Sequence, residues 1–242
     1  MAGGQHLNAH PPSPARIFAE TRAFPEYVRF VASAFAPNTL RRGDGHSVII
    51  YPGFLAHDVL TMPLRSRLAS LGYQPWGWAG GFNFGLKDGL LESMLAQVER
   101  TALDSGGKVS LIGWSLGGIY ARELAKRLPD KVRCVITLGT PFAGDMRANN
   151  AWRIYELFNS HKVTAPPVAT SLSEPPPVPT TSIYSMDEGI VAAESSLNPA
   201  GPLLENIEIS GSHVGLVWNA DVLRIVADRL AQPERAWKPY TG

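Results

Sequence analysis

Apolar positions along this chain follow two alternating rhythms. Short segments rich in apolar, β-branched or aromatic residues occur at Ser47–Tyr51, Tyr73–Trp78, from Val109 towards Trp114, at Val132–Leu138, Thr181–Tyr184 and Ile207–Ile209. Between them lie longer stretches in which apolar residues recur every three or four positions. Lys87–Leu103 is the clearest, with Leu91, Met94, Leu95, Val98 and Ala102 on one stripe before Asp104-Ser105-Gly106-Gly107 ends it. Segments of this kind and length read as buried strands, and a 3.6-residue period as an amphipathic helix. Further helices are expected at Leu60–Leu71, at Ile119–Leu128 up to Pro129, and at Val214–Leu230. Strands alternating with helices imply right-handed crossovers, so the pattern predicts an α/β fold with a mostly parallel sheet and helices on both faces.

Two segments stand outside this alternation. Residues 1–13 read as a flexible tail, and Pro14–Phe35 reads as helical material interrupted at Pro25 that serves packing. Between the strands at Val132 and Thr181 the chain leaves the pattern over Gly139–Pro179. That stretch holds an amphipathic piece (Trp152, Ile154, Tyr155, Leu157, Phe158) and the Pro-rich Glu174–Pro179. It is expected to be an insertion over the sheet edge, a lid or cap at about residues 145–178 on a single domain spanning 14–242. With 242 residues, 45% of them hydrophobic, one α/β domain can bury a sizeable core.

Charge narrows the partners. Twenty-two Lys and Arg against 21 Asp and Glu leave a net charge of +1, with no run of one sign, so no nucleic-acid partner is expected. The first residues lack an apolar signal region, and no stretch of about 18 apolar residues occurs, so no transmembrane segment is expected and a cytoplasmic location is. The single Cys134 excludes an intramolecular disulfide and, in an apolar strand, is expected to be a buried, inert thiol.

The chemistry concentrates in Gly113-Trp114-Ser115-Leu116-Gly117-Gly118. A Gly-x-Ser-x-Gly string alone is common, but here an apolar strand precedes it and a helix follows. That context makes it a nucleophile elbow, in which the serine sits on a sharp strand-to-helix corner. Ser115 is then the nucleophile, and the Leu116 amide at the helix start is one oxyanion donor. A serine hydroxyl needs a base. His6 and His10 lie in the tail, His46 before the first strand, His57 in the loop after it, and His161 in the insertion. His213 alone sits between the last strand and the last helix, where the chain order serine, acid, histidine places a base. The acid must then lie between them, and Asp187 and Glu188 follow a strand side by side, with Asp145 as a weaker candidate whose ordinary role would be a solvated charge or helix cap.

Taken together, Tyr51-Pro52-Gly53-Phe54, the Gly113–Gly118 elbow, Leu138-Gly139-Thr140-Pro141-Phe142-Ala143-Gly144, the Ser185–Val191 turn and Gly211-Ser212-His213 resemble the bacterial lipase-like α/β-hydrolases over about Val48–Leu230. The resemblance implies a second oxyanion donor at the Phe54 amide. It also implies an acid immediately before the glycine of a Ser-x-x-Asp-Gly-x-Val turn. That register favours Glu188, whereas residue type favours Asp187. Trp76, Trp78, Phe82, Phe84 and the Trp152–Phe158 piece are candidates for an acyl pocket or for core. No zinc-type or EF-hand spacing appears, and Gly80, Gly81 and Gly85 do not form a dinucleotide fingerprint, so no metal or cofactor is expected. The expected function is a serine hydrolase of small, apolar carboxylic esters. A thioesterase or acyltransferase using the same residues is the nearest alternative, and a non-catalytic binding protein on the same fold the more distant one.

Overall fold

The computed structural model describes residues 10–35, 40–159, 162–164 and 171–242. Most of the expected tail, together with His6 and His161, lies outside them. Six strands form one sheet: β1 (Ser47–Tyr51), β2 (Gln74–Gly77), β3 (Val109–Trp114), β4 (Val132–Leu138), β5 (Thr180–Ser185) and β6 (Leu204–Ile209). Their order is β2-β1-β3-β4-β5-β6 and every pairing is parallel. The sheet is thus wholly parallel rather than mostly so.

Successive residues of each central strand feed opposite cores, which is why these strands are rich in apolar residues. Val48, Ile50, Ile112, Trp114, Ile136, Leu138 and Ile183 pack on one face. They meet Phe30 of α1 (Ala23–Ala32), Leu64 and Leu68 of α2 (Met62–Ser70), and Val222, Leu223, Val226 and Leu230 of α6 (Ala220–Leu230). Ile49, Tyr51, Leu111 and Val135 face the other way, onto Met94, Val98 and Ala102 of α3 (Leu90–Ser105) and Ala121 and Leu124 of α4 (Leu116–Arg127). Each such buried aliphatic side chain contributes about 1.5–3 kcal/mol relative to exposure.

Three local features differ from the sequence expectation. The N-terminal segment is helical throughout, a 3-10 stretch at Pro14–Arg22 running directly into α1. Pro25 does not interrupt it: it lies in the first turn of α1, just after the 3-10 stretch, where proline is tolerated. The last helix is divided: a 3-10 turn at Gly215–Trp218 ends at Asn219, whose extended backbone and side chain, accepting from Asp221 and Val222 N–H, start α6 afresh. β6 begins three residues earlier than expected, since as an edge strand it tolerates Glu205, Asn206 and Glu208, which hide it from an apolar-run search.

The strand order reverses direction between β1 and β3. In open parallel sheets, ligands bind beyond the carboxyl ends of the strands at such a point. The loop after β1 carries Phe54 and the turn after β3 carries Ser115, so the topology brings these two together.

Candidate active site

Ser115 has φ 53° and ψ −121°, a backbone conformation that side-chain-bearing residues seldom adopt. The corner is held by the Ser115 N–H donating to Leu138 O at 2.8 Å. Two glycines make room for it. A Cβ on Gly113 would lie 2.3 Å from the backbone of Gly117 and Gly118, and one on Gly117 would lie 2.2 Å from Tyr51 O, neither of which can move aside. Gly53 lets the loop after β1 press on the corner as well, its absent Cβ being 3.3 Å from Ser115 Cβ.

Ser115 opens onto an apolar cavity of about 110 Å³ lined by Phe54, Leu116, Ile119, Trp152, Tyr155 and Ile190, among others. The Leu116 N–H, first of α4, has no helical acceptor, and the Phe54 N–H donates to no acceptor among the described residues. Both residues line the cavity beside Ser115. Over it lies α5 (Trp152–Phe158), with Tyr155 and Phe158 rings 5.3 and 6.2 Å from that of Phe54. Lys87 Nζ ties its end down by donating to Phe158 O at 2.7 Å.

The aromatic candidates therefore divide. Trp152 and Tyr155 line the cavity. Trp78 is core, stacked on Tyr120, and Trp76 is half exposed on edge strand β2. Phe82 and Phe84 pack on each other outside the cavity, and Phe84 stacks on Phe158.

His213 is buried, with Nδ1 2.5 Å from Glu188 Oε2, itself 2% exposed. The approach is close but out of line for a regular hydrogen bond from Nδ1. Glu188 Oε2 also accepts from Val191 N–H at 3.0 Å. Burial pushes the His213 pKa down, but the charge and proximity of Glu188, with a smaller contribution from Glu20, more than offset it and raise the pKa above the ordinary 6.5. Asp187 points elsewhere: it is exposed and accepts from Ser210 Oγ at 2.6 Å. Asp145 is an exposed loop residue whose Oδ1 accepts from Arg147 N–H. Among the described residues no hydrogen bond joins Ser115 Oγ to His213, whose backbone bonds run to Trp114 and Glu20.

None of His10, His46 and His57 lines the Ser115 cavity. His10 is exposed, and His57 caps the 3-10 turn Asp58–Thr61 by accepting from Val59 N–H. His46 makes a serine-histidine-aspartate chain of its own: Nδ1 is 2.5 Å from Asp44 Oδ1, and Nε2 is 2.8 Å from Ser110 Oγ. Ser110, however, is fully buried at the amino end of β3, away from the elbow, and Arg133 also reaches both Asp44 and His46. Hydrogen-bond geometry alone would nominate this cluster; access excludes it. Cys134, half buried beside Ser110, has its thiol pKa raised by burial and stays protonated.

Sequence reasoning passed over Glu20 and Glu26. Both come from the N-terminal helical segment and bond to the backbone of the His213 loop. No motif marks them, because the contacts span most of the chain's length.

A family model described as α/β hydrolase fold matches residues 84–165, which include Ser115. The biotin biosynthesis bifunctional protein BioHC of Teredinibacter turnerae is 48% identical over 50 residues, 21% of this chain and only 8% of that protein. Among solved structures, Aspergillus fumigatus lipase B superposes with a TM-score of 0.61 at 18% identity, covering 83% of this chain and 56% of the lipase. Paleococcus ferrophilus monoacylglycerol lipase gives a TM-score of 0.54 at 14% identity, covering 79% and 96%. The thioesterase domain from the curacin biosynthetic pathway gives 0.51 at 15%, covering 80% and 93%. The chain has the α/β-hydrolase fold. No helix among the described residues is long and apolar enough to cross a membrane.

Proposed function

We propose that the protein is a serine hydrolase that cleaves carboxylic esters bearing apolar groups through an acyl-enzyme intermediate. The observation that carries this reading is the strained Ser115 at the mouth of an apolar cavity edged by the Leu116 and Phe54 amides, for which no acceptor is found among the described residues. Ser115 Oγ attacks the ester carbonyl while His213 Nε2, opposite the Nδ1 that faces Glu188, takes its proton. The Phe54 and Leu116 amides stabilise the oxyanion, and His213 returns the proton to the departing alkoxide. Water then attacks the acyl-enzyme, with His213 again as base, releasing the acid and restoring Ser115. Glu188 orients the imidazole and stabilises its charged form.

A cavity of about 110 Å³ is smaller than the roughly 150 Å³ that accommodates benzene in an engineered core, which favours short acyl chains. The test is a p-nitrophenyl ester series of rising acyl length, run with and without a serine-directed phosphonate. The rate should peak at short chains, the phosphonate should label Ser115, and Ser115→Ala should be inactive at an unchanged melting temperature. Turnover by Ser115→Ala, or a phosphonate adduct on another serine, refutes the assignment. Transfer to an added alcohol in preference to water would make the protein an acyltransferase.

A further inference from the structure

We infer that Glu20 is a positioning residue whose single carboxylate ties the Glu188 turn to the His213 loop and thereby sets the contact between the two side chains. The inference rests on the roles proposed above for Glu188 and His213. Oε1 of Glu20 accepts from Gly189 N–H at 2.9 Å and from His213 N–H at 3.1 Å, and Oε2 accepts from Val214 N–H at 3.0 Å. The residue next to the acid and the amide of the base thus meet on one oxygen atom. Three converging N–H donors call for a group that only accepts, which an ionised carboxylate is and an amide is not.

The rest of the N-terminal segment supports this grip. Arg16 and Arg22 donate to Met186 O and Asp187 O, both at 2.9 Å, and a Cβ on Gly189 would lie 2.2 Å from Arg16 O. Glu26 accepts from Ser212 N–H at 3.0 Å and from Ser212 Oγ at 2.5 Å. The charged groups on the His213 loop and the Glu188 turn are therefore Glu188 itself and, from the N-terminal segment, Glu20, Glu26, Arg16 and Arg22. Glu20 adds to the charge that favours protonated His213.

The experiment compares full-length wild type with Glu20→Gln and Glu20→Asp. It measures kcat, KM and the pH profile of kcat/KM on a p-nitrophenyl ester, with rates normalised to serine titrated by the phosphonate. Gln keeps the volume but sets a donor against donors. Expected is a kcat lower by about 10–100-fold, taking as guide the range for outer-shell partners that orient metal ligands, at an unchanged KM. The acid limb of kcat/KM should move to lower pH, which a purely structural loss would not cause. Asp keeps the charge but falls one methylene short, so kcat should fall while the limb stays near wild type. A wild-type kcat and limb in Glu20→Gln, or a wild-type kcat in Glu20→Asp should the Gln variant not fold, overturns the inference. His213→Ala run alongside separates the two levels: if it remains active, the proposed base is wrong whatever Glu20 does.

Discussion

Glu188 and Asp187 are adjacent carboxylates that chemistry alone cannot rank, and removing each charge in turn should separate them by orders of magnitude. Glu188→Gln keeps the size of a side chain that is 2% exposed and lies 2.5 Å from His213 Nδ1. It takes away the negative charge that opposes the effect of burial on the imidazole. An aspartate-to-asparagine change in the chymotrypsin triad lowers kcat about 10⁴-fold, or about 5 kcal/mol of transition-state stabilisation, and a loss of that order is expected here. Asp187→Asn disturbs one exposed hydrogen bond, to Ser210 Oγ, so stability should change by no more than about 1 kcal/mol and kcat by about twofold. The pH profile gives an independent sign. The base must be neutral, and the His213 pKa is raised, so the wild-type acid limb of kcat/KM should lie above 6.5. In Glu188→Gln burial dominates and the limb should move below that value. By the same linkage, protonated His213 stabilises the wild-type fold at low pH, and this contribution is lost as pH rises through the raised pKa. The assay is kcat and KM for a short p-nitrophenyl ester from pH 5 to 9, alongside thermal melting. A larger loss of kcat in Asp187→Asn, or a near-normal kcat in Glu188→Gln, refutes the assignment of the acid.

Two further outcomes test the surrounding structure. His46→Ala should leave kcat unchanged but destabilise the fold by about 1–3 kcal/mol in a urea titration, because it leaves the buried Ser110 hydroxyl only its long contact with Cys134 Sγ; a large loss of kcat would instead make the Asp44-His46-Ser110 cluster functional. Gly117→Ala should destabilise by about 1–3 kcal/mol or more, since its Cβ would lie 2.2 Å from Tyr51 O; an unchanged urea midpoint would show that the elbow can shift away from β1.

The fold was legible because each central strand is buried on both faces and each flanking helix on one, so hydrophobic rhythm and tertiary position carry the same information. Where burial is one-sided, legibility fell: edge strand β6 hid behind Glu205, Asn206 and Glu208. The division of the last helix at Asn219 was written in a good capping residue, but a continuous apolar period on either side of it masked the break.

Sequence alone determined the α/β order, the elbow at Ser115 and the position of His213 between the last strand and helix, because each depends on neighbouring residues and strand register. It could not determine which of two adjacent carboxylates faces His213. Neighbours in a turn point in different directions, and only the packed turn sends Glu188 inward and Asp187 towards Ser210. Nor could it distinguish the aromatics at the cavity from those in the core, or expose the Asp44-His46-Ser110 cluster as closed to substrate. Glu20 was the least legible of all. A carboxylate 193 residues from the histidine amide it binds leaves no local pattern, and only the folded chain brings the two within a hydrogen bond.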